Sequence, residues 1–162
     1  MDEPHDSVTT TEAESPRLAT LVVGVDLSSE SLYALDLAAE IGAGHRAEIR
    51  VVHVHPQLSA LAFSPMAAGE YEKAQAEIMD ALEAEAATRL RSYAGTWSTT
   101  SRRGHVGHEI LAEADEVDAD LVIVGHRSHG TLHDALLGSV ATGTVHHSRR
   151  SILVAIPPRR EA

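Results

Sequence analysis

From residue 18 onward, short apolar runs alternate with longer stretches whose apolar positions recur every three or four residues. The runs at 21–26, 49–55, 121–125 and 152–156 are strand-length; 21–26 is apolar on both faces up to its closing Asp26, the pattern of a strand covered by helices on each side, and 121–125 is the clearest buried strand. Residues 96–102 are β-prone but polar, with Trp97 their one large apolar side chain, which suits an edge strand. Between the first two runs, Ser28, Ser29 and Glu30 supply capping and first-turn groups. Tyr33, Ala34, Leu37, Ala38 and Ile41 then repeat at helical spacing, and Gly42 and Gly44 are expected to stop the helix. A second helix is predicted between 65 and 95, with Tyr71, Ala74, Ile78, Leu82, Ala86, Leu90 and Tyr93 as its stripe. Ile110, Leu111, Ala114 and Val117 predict a short third helix. A fourth, starting near Gly138 and Ser139, would bury Val140, Ala141, Thr144 and Val145.

This alternation of five strands and four helices predicts an α/β fold built on one parallel sheet with crossover helices. Periodicity alone does not choose the strand order. In such sheets ligands sit beyond the carboxyl ends of the strands, where the winding direction reverses. Attention therefore falls on Asp26, Leu27 and Ser28, on His53, Val54 and His55, and on the loop after Val124.

A length of 162 residues is one domain's worth. Residues 1–17 are acidic, Ser/Thr-rich and nearly devoid of apolar groups, which predicts a disordered tail ahead of a domain over 18–157 and a short tail over 158–162. No run approaches the roughly 20 apolar residues that span a bilayer, and the acidic start is unlike a secretory signal. The expected location is the cytoplasm, with no membrane partner. Cysteine is absent, which excludes disulfides, thiol nucleophiles and cysteine-ligated zinc. With 13 Lys+Arg against 24 Asp+Glu, the formal charge of −11 disfavours nucleic acid. The one lysine, Lys73, follows no glycine-rich loop, so the common phosphate-binding pattern G-x-x-x-x-G-K-[ST] is missing.

The loop from Gly125 to Ser139 concentrates the candidate chemistry. Gly125 and Gly130 allow close backbone approach, and Gly138 with Ser139 opens a helix whose free N–H groups suit a phosphate. Arg127 and three histidines face a single acid, Asp134, so an anion meets less repulsion here than elsewhere on this chain. The plainer reading makes Gly125 and Gly130 a turn and Gly138-Ser139 a cap.

At this loop the sequence resembles the universal stress protein family, whose ATP-binding members carry G-x2-G-x9-G-[ST] after the fourth strand. Gly125, the nine residues before Gly138, and Ser139 stand in register with it, while Ser128 replaces the second glycine. Val23-Gly24-Val25-Asp26 with Ser28, Val51-Val52-His53-Val54, Gly138-Ser139-Val140 and Ile152-Leu153-Val154 resemble further family segments across nearly all of 18–157. The resemblance implies an open five-stranded parallel sheet of order 3-2-1-4-5 with helices on both faces, and a dimeric regulatory binder of ATP or a related adenine nucleotide, with magnesium as a possible companion. It further implies that Asp26, next to Ser28, and the Val54 backbone contact the nucleoside. Gly125, Ser128, Gly130, Gly138, Ser139 and Val140, with Arg127 nearby, would line ribose and phosphates. Homodimers would form along the last strand through Ile152, Leu153, Val154, Ala155 and Ile156.

Rival chemistries are weaker. His126, His129 and His133, or His105 and His108, suggest metal only if helical, and Gly130 opposes a helix, so no metal site is expected. His126 and His129 would instead tighten phosphate binding as pH falls. The G-x-S-x-G elbow is misplaced around Ser128, and H-E-x-x-H fails because Ala112 follows His108 and Glu109. The pattern places no second carboxylate beside Asp26, so catalysis is not expected. A nucleotide-independent dimeric adaptor and a slow nucleotide hydrolase remain the alternatives.

Overall fold

A computed structural model describes residues 17–55, 65–126 and 146–158. Its elements run β1 (Thr20–Gly24), α1 (Ser29–Ala43), β2 (Glu48–His55), α2 (Pro65–Arg89), β3 (Trp97–Arg103), α3 (Val106–Glu116), β4 (Leu121–Gly125) and β5 (Ser151–Ala155). The five strands form one parallel sheet in the order β3-β2-β1-β4-β5, the order the resemblance implied. The predicted fourth helix lies outside the described residues.

Strand alternation divides the interior into two layers. Leu21, Val23, Ile49, Val51 and Ile123 pack under α1 and α2, against Ala34, Leu35, Ala38, Leu82, Ala86 and Leu90. Val22, Val52, Val54, Val122 and Val124 pack on the other face against Ile110 and Ala114 of α3. The consecutive apolar runs read as two-faced strands because both faces are indeed covered. Among the large core side chains, Leu35, Leu82, Leu90 and Ile123 are each buried completely or nearly so, which contributes about 1.5–3 kcal/mol apiece.

Several boundaries differ from the sequence expectation for identifiable reasons. β1 stops at Gly24 rather than Asp26, because the chain leaves the ladder after Val25 and turns into the cap of α1. Gly42 is inside α1, and Gly44 is the cap. The stripe of α2 is buried only in its C-terminal half: Leu82 and Ala86 are covered, while Ala74 is exposed among the described residues. Tyr93 is beyond that helix, where its hydroxyl donates to the Ala47 carbonyl at 2.6 Å. β5 ends at Ala155, leaving Ile156 65% exposed.

β3 is an edge strand, as its polarity suggested, and its charges are used. Arg102 reaches α3 and pairs with Glu109 at 3.1 Å, Glu113 at 2.9 Å and Glu116 at 2.9 Å. Those acids lie along one stripe of α3, so a single guanidinium ties the helix to the sheet edge. Glu109 is thereby committed to an ion pair.

Candidate functional site

The register brings three strand ends level: Gly24 of β1 stands opposite Val52 of β2 on one side and Val124 of β4 on the other. The sheet order reverses between β1 and β4, the place where such sheets carry a crevice beyond their carboxyl ends. A cavity of about 220 Å³ occupies it. Its apolar walls are Val52, Val54, Val106, Ile110 and Val124, and its polar end holds Asp26, Ser28, Glu30 and Ser31, with Gly24 and Gly125 as bare backbone. Apolar walls ending in serine hydroxyls and the Asp26 carboxylate suit a heteroaromatic ring attached to a sugar.

The polar end is built by the start of α1. Ser28 caps the helix, its Oγ accepting from the Ser31 N–H at 3.3 Å while its own hydroxyl donates to Asp26 Oδ1. The Ser28 N–H donates to the same carboxylate oxygen at 3.0 Å. Ser31 completes the loop of bonds: its Oγ accepts from the Asp26 N–H at 3.2 Å and its hydroxyl donates to the Ser28 carbonyl at 3.0 Å. Leu27, between the two, sits at φ 64°, a left-handed conformation that costs a non-glycine residue about 1–2 kcal/mol. Its side chain packs against the α1-side core, which holds the turn in that state.

Gly125 closes the other wall by direct contact with this cap. A Cβ built there would lie 2.5 Å from the Glu30 carbonyl carbon and 2.7 Å from the Ser31 nitrogen, both backbone atoms that cannot swing aside. At Gly24 a Cβ would meet the Ile110 side chain at 2.6 Å. The glycines therefore let β1 and β4 pass close to the flanking helices while keeping the cavity open.

Of the residues singled out from sequence, Asp26, Ser28, Val54 and Gly125 line this one cavity. Arg127, Ser128, Gly130, Gly138, Ser139 and Val140 lie outside the described residues, as do His129 and His133. His126 follows β4, and its N–H donates to the Ala155 carbonyl at 2.8 Å. Among the described residues no group of three or more His, Asp or Glu side chains is arranged to hold a metal ion. Glu30 and Ser31 were missed as cavity residues. Glu30 looked like a dipole-compensating acid of the first helical turn; its backbone lies against Gly125 at the cavity wall, and its carboxylate accepts from the Ser29 hydroxyl at 3.0 Å. Ile110 was legible only as part of the third helix's apolar stripe, and no sequence signal singled out Val106. No described helix is long and apolar enough to cross a membrane.

Behind the cavity, on the α1 side of the sheet, β2 carries two buried histidines. The His53 Nδ1–H donates to the Val25 carbonyl at 2.9 Å, and the His55 Nε2 pairs with the Ser101 hydroxyl. Their rings meet edge to face with centroids 4.8 Å apart. Burial, then the neighbouring His53 and Arg103, push the His55 imidazole below its ordinary pKa.

Comparison with known proteins places this architecture. A profile described as the universal stress protein family matches residues 18–155. Universal stress protein A homolog 1 of Coxiella burnetii is 31% identical over 140 residues, covering 82% of this chain and 92% of that protein. A solved universal stress protein in complex with cAMP is 27% identical, covers 87% of this chain and 98% of its own, and superimposes with a TM-score of 0.61. A universal stress protein family member from Arabidopsis thaliana with AMP bound, 18% identical over 86% of this chain and 92% of its own, shares the fold at a TM-score of 0.64. The strand order, the crevice between β1 and β4 and a profile match running from before β1 to the end of β5 have one common account: the chain belongs to the universal stress protein family.

Proposed function

We propose that this protein is a dimeric, cytoplasmic regulator that binds ATP or a related adenine nucleotide in the cavity between the carboxyl ends of β1, β2 and β4. The observation that carries the reading is the composition of that cavity, with Val52, Val54, Val106, Ile110 and Val124 as walls for a purine and Asp26 and Ser28 at the end where a ribose would sit. The cAMP and AMP complexes of the relatives described above support the ligand class. Phosphates would extend toward the Gly125–Ser139 loop, where Arg127, Ser128, Gly130, Gly138, Ser139 and Val140 would meet them and magnesium could accompany a triphosphate. The pairing surface would be β5, a sheet edge followed by the exposed Ile156. No hydrolytic step is assigned to Asp26 or Glu30.

Mass spectrometry of the small molecules released on denaturation, together with melting in added AMP and ATP, tests the proposal. Nucleotide at about 100 times its Kd should raise Tm by roughly 5–10 °C. No released nucleotide and an unchanged Tm at millimolar AMP and ATP would leave the dimeric adaptor as the better reading.

A further inference from the structure

The end of β1 is terminated by a side chain. The last rung of the β1–β2 ladder is the Val25 N–H to the Val52 carbonyl at 2.9 Å. A continued parallel ladder would next offer the Val54 N–H to the Val25 carbonyl, since in β2 the even-numbered residues address β1, as Glu48 does to Ala19. Among the described residues no backbone bond of that kind is made. The Val25 carbonyl instead receives the Nδ1–H of His53, from the face of the sheet opposite the cavity. Because a carbonyl only accepts, His53 must carry its proton on Nδ1. The ring is held by burial and by the edge-to-face contact with His55.

We propose that His53 is a positioning residue for the nucleotide cavity: by taking the Val25 carbonyl it ends β1, directs the chain into the Asp26–Ser28 turn, and reserves the Val54 N–H for the ligand. The inference rests on the nucleotide reading above and adds to it a residue that lines no part of the cavity. Two consequences follow from one bond. Asp26 leaves the ladder and is gathered by Ser28 and Ser31, and the Val54 amide, on the β1 side of β2 and bonded to no backbone carbonyl among the described residues, stands where a purine nitrogen can accept from it.

The test uses the whole chain and AMP as probe. In His53→Leu the donor is lost with packing largely kept, and AMP affinity should fall about tenfold, the equivalent of one hydrogen bond. His53→Asn presents an amide N–H the same number of bonds from the backbone as Nδ1, and should bind within about threefold of wild type. His53→Gln carries its amide one bond too far and should resemble His53→Leu. If His53→Leu fails to fold, the Asn and Gln pair still decides, because both are polar and only one places a donor at the Val25 carbonyl. Wild-type affinity in the Leu or Gln variant, or equal losses in Asn and Gln, would overturn the positioning role while leaving nucleotide binding intact. Absence of AMP binding by wild type would overturn the nucleotide reading itself, and the proposal with it.

Discussion

Arg102 on the edge strand β3 donates to the Glu113 carboxylate at 2.9 Å, and Glu113, with its residue 5% exposed, is among the few buried charges of the described fold. The same guanidinium serves Glu109 and Glu116, so α3, which forms one wall of the cavity at the strand ends through Val106 and Ile110, is anchored to the sheet by a charge cluster as well as by its apolar stripe.

Removing Arg102 would strand that buried carboxylate. Arg102→Leu should cost about 3 kcal/mol in denaturant unfolding, whereas Arg102→Leu combined with Glu113→Leu should recover much of it, because the desolvation cost of the charge disappears with the charge. Equal stability of the single and double variants would contradict this account. Arg102 also holds the Glu109 and Glu116 carboxyls below the usual carboxylate range. Depressed folded-state values mean the contribution is complete above about pH 4.5 and is lost as pH falls through the folded values.

Gly125 is expected to be intolerant of any side chain. Gly125→Ala should destabilise by about 1–3 kcal/mol, because its Cβ would press on backbone of the α1 cap, and should weaken AMP by moving Ser28 and Asp26. Gly44→Ala is the control: nothing lies within 4 Å of the added methyl and the backbone there is helical, so stability should rise by about 0.5–1 kcal/mol. Chemical denaturation of both variants distinguishes a packing requirement at 125 from a general effect of losing glycine.

His55 predicts a pH dependence of stability. Its folded-state pKa is lowered chiefly by burial, with His53 and Arg103 adding to it, and its buried Nδ1 has no hydrogen-bond partner among the described residues, so protonation would bury an N–H that none of them pairs. The unfolded chain, with a value near 6.5, then binds more protons than the folded one in mild acid. The contribution is therefore fully present above about pH 6.5 and declines below it. Melting between pH 7.5 and 5 should show a steeper fall for wild type than for His55→Gln, which keeps an amide near the Ser101 hydroxyl; parallel curves would count against the assignment.

Ile156, exposed beside the β5 edge, should matter only to assembly. Ile156→Asp should weaken the proposed dimer by at least about tenfold in sedimentation while leaving the monomer's secondary structure unchanged. A wild-type protein that sediments as a monomer at micromolar concentration would remove the proposed dimer.

Sequence alone determined the layered α/β architecture, because a strand buried on both faces needs apolar residues at every position and a covering helix needs them every three or four, and both rhythms are visible in the runs around Val23, Val51 and Ile123 and around Leu35 and Ile110. It also located Asp26, Ser28, Val54 and Gly125 as residues at strand ends. That these belong to one site was implied only by the family resemblance; tertiary structure showed them lining one cavity, and it alone decided that Glu30 and Ser31 join them and that Gly125 faces the backbone of a helix nearly a hundred positions earlier. It likewise decided that the polar edge strand supplies an arginine clamp and that the His53 ring donates to the Val25 carbonyl. Periodicity records which side of an element is covered, whereas hydrogen bonds and close approaches between distant segments depend on sheet order and register, to which no single segment's pattern responds.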